Sequence, residues 1–154
     1  MPRLDKPGHN PAVMAICSKD DVALSNRSRI ACMDDLFAQP EKVPAHIKWL
    51  WLGTGLVQSP DDLLYSVTRP QDPTKLFEAG AQGLPLVIMQ GTADRNFNRD
   101  VVAEEMRPSF TNMDVHTIEG GSHALFYDNQ EEFIGILLKF VKKITQVSQF
   151  QSPI

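Results

Sequence analysis

Residues 86–94 read Leu86-Val87-Ile88-Met89-Gln90-Gly91-Thr92-Ala93-Asp94, an apolar run that gives way to small and polar residues. Leu86 to Gln90, following Pro85, is long enough for a buried strand and too short for a helix. Gly91 to Asn96 is small, polar and turn-like. Working outward, Arg99 to Met106 predicts a helix closed by Pro108, and Asp114 to Glu119, with Val115, Thr117 and Ile118, predicts a second strand. Gly120-Gly121-Ser122-His123 is a glycine-rich turn. Asn129-Gln130-Glu131-Glu132 has the pattern of a capping box. It opens a helix whose apolar stripe is Phe133, Leu137, Phe140, Val141 and Ile144. Strand, helix, strand, helix at these lengths implies an α/β fold with a parallel sheet, because parallel neighbours need a crossover.

That arrangement brings two chemically useful residues to one edge. Asp94 lies just beyond the first strand and His123 just beyond the second, 29 residues apart in sequence. Catalytic groups of open α/β sheets gather outside the carboxyl ends of the strands. An aspartate there can accept a hydrogen bond from one imidazole nitrogen, fix the tautomer, and leave the other nitrogen to act as a general base. Gly120 and Gly121 allow a sharp turn ahead of the imidazole. Taken singly, each residue has a plainer reading: Asp94 as a turn cap, His123 as a solvated loop histidine. The order, the strand-end positions and the intervening helix favour the pair. His9, His46 and His116 lack such a context and read as solvated. Asp94 as a phospho-acceptor leaves His123 unexplained and lacks the surrounding acidic cluster and lysine.

Residues 1–83 have a different character. They hold eight of the eleven prolines, at positions 2, 7, 11, 40, 44, 60, 70 and 73, and predict short helices joined by loops. Met1 to Pro11 reads as a loop, and Ala12 to Cys17 as a strand or a helical turn. Asn26 to Ala38 carries Ile30, Met33 and Phe37 at helical spacing. Pro44 to Gly53 places Ile47, Leu50 and Trp51 on one face. Ser59-Pro60-Asp61-Asp62 is a helix start with a serine cap, proline at the first position and acids where the dipole favours them. Asp72-Pro73 repeats the pattern, and Gly80 is placed to end that helix in a left-handed conformation. Trp49 and Trp51 offer aromatic surface for a pocket or for packing between helices; Phe126, beside His123, offers the same choice. Lys139, Lys142 and Lys143 read as a solvated helix face.

Composition narrows the function. The formal net charge of −4 argues against a nucleic-acid partner. No apolar run approaches the roughly 18 residues that span a bilayer, so no membrane association is expected. Cys17 and Cys32 match no disulfide framework or zinc spacing and read as free, inert thiols. With a polar, proline-containing start unlike a signal peptide, they fit a cytoplasmic location.

The stretch from Gly83 to Asp94 resembles the segment of the α/β-hydrolase superfamily that delivers the triad acid. Ile118 to Phe126 resembles the segment that delivers its histidine, and Gln130-Glu131-Glu132-Phe133 with the following helix resembles the last helix of that family. The resemblance covers residues 83–144. Residues 12–80 are similar to the family's helical cap region by position and helicity, in a short-helix style like that of fungal members. The expected organisation is a helical cap or post-cap region over 1–83, followed over 84–154 by the C-terminal strand–helix–strand–helix part of the core.

The resemblance implies a nucleophile–acid–histidine triad in that chain order, with Asp94 as the acid and His123 as the base. It implies hydrolysis of a small-molecule substrate, and neither a metal nor an organic cofactor. The first triad member has no counterpart. The chain contains no G-x-S-x-G elbow and no H-G-G oxyanion loop. Ser18, Ser25, Ser28, Ser59, Ser66 and Ser109 lack an elbow context, and Ser122 follows the last strand where no elbow is expected. The expectation is therefore a C-terminal fragment, a truncated gene product or one half of a split enzyme, inactive alone. Its uncovered sheet edge is a route to self-association. The alternative is a non-catalytic, hydrolase-derived binding or interaction module.

Overall fold

The computed structural model describes the backbone of residues 9–149 and the side chains of residues 11–146. Helices α1 (His9–Ile16) and α2 (Val22–Asp35) open the described chain, and a 3-10 turn follows at Pro40–Lys42. Then come α3 (Ala45–Leu56), α4 (Pro60–Thr68) and α5 (Thr74–Ala81). The second part runs β1 (Leu86–Gly91), α6 (Arg99–Met106), β2 (Met113–Ile118), α7 (Leu125–Asp128) and α8 (Gln130–Gln149). Strands β1 and β2 pair in parallel, from Leu86 opposite Met113 to Gly91 opposite Ile118, with α6 as the crossover. This is the α/β arrangement expected from residues 84–144.

Local chemistry explains several helix boundaries. Asp21 caps α2 by accepting the Leu24 N–H at 2.7 Å, which starts that helix at Val22 rather than at Asn26. The Ser59 hydroxyl accepts the Asp62 N–H at 3.1 Å and starts α4 as expected. Asp72 Oδ1 takes the Thr74 N–H at 3.0 Å and the Thr74 hydroxyl at 2.6 Å, so the carboxylate is held below its ordinary range by these two bonds.

Several expectations are corrected. Residues 9–11 are helical, as is the run up to Ile16; the start of the expected N-terminal loop lies outside the described residues. Gly80 sits inside α5 and does not end it. Gly83 does, at φ +93°, with Leu84 N–H on Ala79 C=O and Gly83 N–H on Gly80 C=O. Gly80 instead permits close packing: a Cβ there would stand 2.6 Å from the Ser109 carbonyl oxygen. Asn129 does not form a capping box, since its buried Oδ1 has no partner. Helix α7 delivers the chain directly into α8, and the Phe133 N–H bonds the Asn129 main-chain carbonyl. Lys143 is more than a solvated cation: it pairs with Asp114 at 2.7 Å across to β2.

The best-buried cluster lies between the two parts of the chain. Phe37, fully buried, packs with Val43 and Ala124, and Met33, Leu36, Ile47, Trp51 and Tyr127 close around them. Burial of such a phenylalanine stabilises by about 1.5–3 kcal/mol. Phe37 lies beyond α2 rather than on its stripe, and Ile30 of that stripe is exposed. Ile47 and Trp51 face the cluster, but Leu50 is 64% exposed. Positions i and i+4 share a face, and i+3 falls at the rim of that arc. Likewise Phe133, Phe140 and Ile144 of α8 are half-buried, while Leu137 and Val141 are exposed. A sheet with two strands among the described residues is too narrow to cover the whole stripe. No helix among the described residues is long and apolar enough to cross a membrane.

Candidate active site

Both strand-end loops open at the carboxyl edge of the sheet. Gly91, the last residue of β1, is placed against the turn after β2, and a Cβ there would collide with the Gly121 carbonyl. Ala93 N–H donates to that same carbonyl at 2.8 Å, and Thr92 N–H donates to Ile118 C=O at 3.0 Å. Gly120 adopts φ +69° and turns the chain back, its N–H bonded to the Thr92 hydroxyl at 2.7 Å. The two loops are thereby locked to one another by two main-chain bonds and the Thr92 hydroxyl.

Asp94 and His123 meet across this junction. His123 Nδ1 lies 3.1 Å from Asp94 Oδ2. The other carboxylate oxygen, Oδ1, accepts the Asn96 N–H at 2.7 Å and the Phe97 N–H at 3.1 Å. Those amides fix the carboxylate plane, so Oδ2 is presented to the imidazole in one orientation. A carboxylate at Nδ1 favours the proton there and leaves Nε2 with its lone pair. The Asp94 side chain is 12% exposed and that of His123 is 35% exposed. Asp94 is shielded and His123 is reachable. Both line a hollow of about 300 Å³ with Ile88, Phe97, Val102 and Leu125 among its walls.

Three further side chains make contacts at this junction that the sequence does not single out. Phe97 stacks on the His123 ring with centroids 5.2 Å apart and planes 18° apart. Asn96 is buried and its side-chain amide donates to the Asp35 carbonyl at 3.4 Å, tying the acid loop to the end of α2. Ser122, 1% exposed, donates its hydroxyl proton to Asp128 Oδ2 at 2.5 Å and accepts the Ala124 N–H at 3.0 Å. The turn formed by Asp94 and Asn96 had a signal, since Asp often bonds the amide two residues on. The other contacts depend on tertiary placement.

The remaining candidates fall elsewhere. Trp51 stacks on Phe126 with centroids 5.6 Å apart, and also meets Phe37 and Tyr127; neither Trp51 nor Phe126 is among the residues lining the hollow. Trp49 and His46 of α3 and His116 of β2 are exposed, while the His9 side chain lies outside the described residues. The Ser122 hydroxyl, buried and committed to Asp128, is not presented to His123 as a nucleophile. Cys17 and Cys32 are free thiols. Burial pushes both up from the ordinary thiol range, so neither is a ready thiolate. Among the described residues no group of three His, Cys, Asp or Glu is arranged to hold a metal ion.

No family model matches the chain, and no curated protein matches it. Solved structures do. The esterase RhEst1 from Rhodococcus sp. ECU1013 superposes with a TM-score of 0.72 at 17% identity, covering 86% of this chain and 46% of that one. The esterase EaEST from Exiguobacterium antarcticum superposes with a TM-score of 0.66 at 17% identity, covering 87% of this chain and 48% of that one. The chain thus spans about half the length of the structures it matches. The likeness is one of fold: helices followed by a strand–helix–strand–helix unit, as in part of an α/β-hydrolase fold.

Proposed function

We propose that this chain supplies the acid and the base of a nucleophile–histidine–acid triad that hydrolyses a small-molecule ester, and that the nucleophile resides outside residues 1–154. The observation that carries the proposal is the 3.1 Å contact of His123 Nδ1 with an Asp94 carboxylate whose second oxygen is pinned by two amides. In that arrangement His123 Nε2 takes the proton of the incoming nucleophile, and Asp94 stabilises the imidazolium. The protonated ring then gives its proton to the leaving alcohol. In the second half-reaction His123 activates water to release the acid. Donors for the oxyanion come, like the nucleophile, from the companion segment. Phe126 and Trp51 stack outside the hollow, so its apolar walls, Ile88, Phe97, Val102 and Leu125, are the surface suited to the acyl or alcohol group. No metal or organic cofactor takes part.

The test joins the frame upstream of Met1 to this chain. Residues 1–154 alone are expected to show no ester turnover above background. Fused or co-expressed with an upstream segment that encodes a G-x-S-x-G elbow, the chain is expected to give hydrolysis that disappears in His123→Ala. Turnover by residues 1–154 alone that depends on His123 would falsify the missing nucleophile. An assembled enzyme indifferent to His123→Ala would overturn the triad. A transcript that begins at Met1, with no companion segment, would leave the non-catalytic binding module as the reading to pursue.

A further inference from the structure

The partly buried carboxylate of Asp128 is left over once Asp94 and His123 are paired, and its position is unusual. Asp128 ends α7, five residues after His123. Its Oδ2 accepts two hydrogen bonds from different parts of the chain. One comes from the Ser122 hydroxyl at 2.5 Å, on the residue immediately before His123. The other comes from the Ala38 N–H at 2.8 Å, 90 residues away in the loop after α2. The Ser122 oxygen in turn accepts the Ala124 N–H at 3.0 Å, on the residue immediately after His123. That same Ala124 N–H also reaches the Leu36 carbonyl at 2.9 Å. Between Leu36 and Ala38, the Phe37 ring plugs the best-buried cluster, with Trp51 and Tyr127 at ring distances of 5.1 and 5.4 Å.

His123 is thus held on both flanks by one clamp. Asp94 orients the ring from the side; the clamp fixes the backbone from which the ring projects. Two partly buried hydrogen bonds to one carboxylate oxygen are stronger than neutral ones. The bond from Ala38 also crosses from the helical region to the segment that carries His123.

We propose that Asp128 is a positioning residue for His123, acting through Ser122 and the main chain of residues 36–38, so that the helical region ahead of the strands sets the register of the base. This rests on the Asp94–His123 reading above, and the closing experiment separates the two. Nitrogen-15-labelled histidine in residues 1–154 reports the fraction of His123 carrying its proton on Nδ1, and the exchange rate of that proton, by NMR. Thermal melting runs beside it. In Asp128→Ala the Nδ1-protonated fraction is expected to fall and the proton to exchange severalfold faster in the folded protein. Ser122→Ala is expected to shift both readouts the same way by less. Asp128→Asn, which still accepts from Ala38, is expected to restore most of the effect.

A merely structural role gives a different result: a lower melting temperature in Asp128→Ala with tautomer and exchange unchanged, and that outcome overturns the proposal. Equal loss in Asp128→Asn and Asp128→Ala overturns it too, since a retained acceptor then brings no recovery. Asp94→Asn is the control. If it leaves the His123 tautomer unaltered, the acid–base pair fails and the clamp has nothing to position. If it alters the tautomer while Asp128→Ala does not, the pair stands and the clamp falls.

Discussion

Residues 91–128 and residues 45–68 follow opposite plans. In the first segment, polar side chains are spent on one another: Thr92 on Gly120, Asp94 on two amides and an imidazole, Ser122 on Asp128. In the second, large apolar side chains are left to solvent, Trp49 at 63%, Leu50 at 64% and Val57 at 86% exposure. The site is wired by short contacts between two strand ends, and it needs only those ends and the Leu36–Ala38 loop to exist. The helices need further surface to bury against. These exposed apolar side chains lie on helix α3 and the turn after it, away from the β1–β2 ladder.

The largest expected effect tests the wired half. In the enzyme assembled with its companion segment, Asp94→Asn lowers kcat by ~10⁴-fold, because an amide at Nδ1 permits the wrong tautomer. A loss of less than about tenfold would mean that the carboxylate is only a turn cap. Next comes the seam between the two regions. Phe37→Ala removes a fully buried ring and costs about 3–5 kcal/mol, while Leu50→Ser on the exposed face stays within about 0.5 kcal/mol. Chemical denaturation of the two variants reads the contrast directly, and equal effects would erase it. Gly91→Ala drives a methyl group into the Gly121 carbonyl, with an expected cost of about 1–3 kcal/mol. Loss of the His123 Nδ1–H signal should accompany it, since the strand-end loops must part. The smallest effect is a pH term. The Asp72 carboxyl is lowered by its bonds to Thr74. It therefore stabilises α5 above the unfolded carboxylate value, and that contribution fades as pH falls through the lowered folded value. A carbon-detected titration of Asp72 checks the sign, and a raised midpoint would reverse it.

The sequence was most legible where one residue type has one local use. Ser59 before Pro60, Asp72 before Thr74, and the Leu86–Gln90 run needed no tertiary information. The parallel pairing followed from the length of the α6 crossover. Asp94 and His123 were legible as a pair because strand ends collect such groups and their order left few alternatives. Reading failed where a local signal competes with packing. Gly80 and Gly83 both suit a helix end, and only the crowding at Ser109 shows why Gly80 is inside. Asn129 has the chemistry of a cap, yet α7 runs into α8 with no free turn for it to serve. Leu137 and Val141 carry the right periodicity for burial, but periodicity does not report how wide a sheet lies beneath. Asp128 was invisible for a plainer reason: its partner Ala38 is a main-chain amide, which no pattern of side chains reveals.

The clamp and the Asp94–His123 pair also differ in the loops they close. The Asp94–His123 contact joins residues 29 apart, whereas Ala38 and Asp128 are 90 apart. Loop-closure entropy makes the longer closure costlier by about 1 kcal/mol. The acid and base are thus expected to find each other early in folding, with the helical region docking onto a site already half made; pulse-labelled hydrogen exchange that protects Ala38 before Ala93 would contradict that order. A chain folding in this sequence carries its chemistry in its most quickly assembled piece, and the slower step decides only when the base is brought into register.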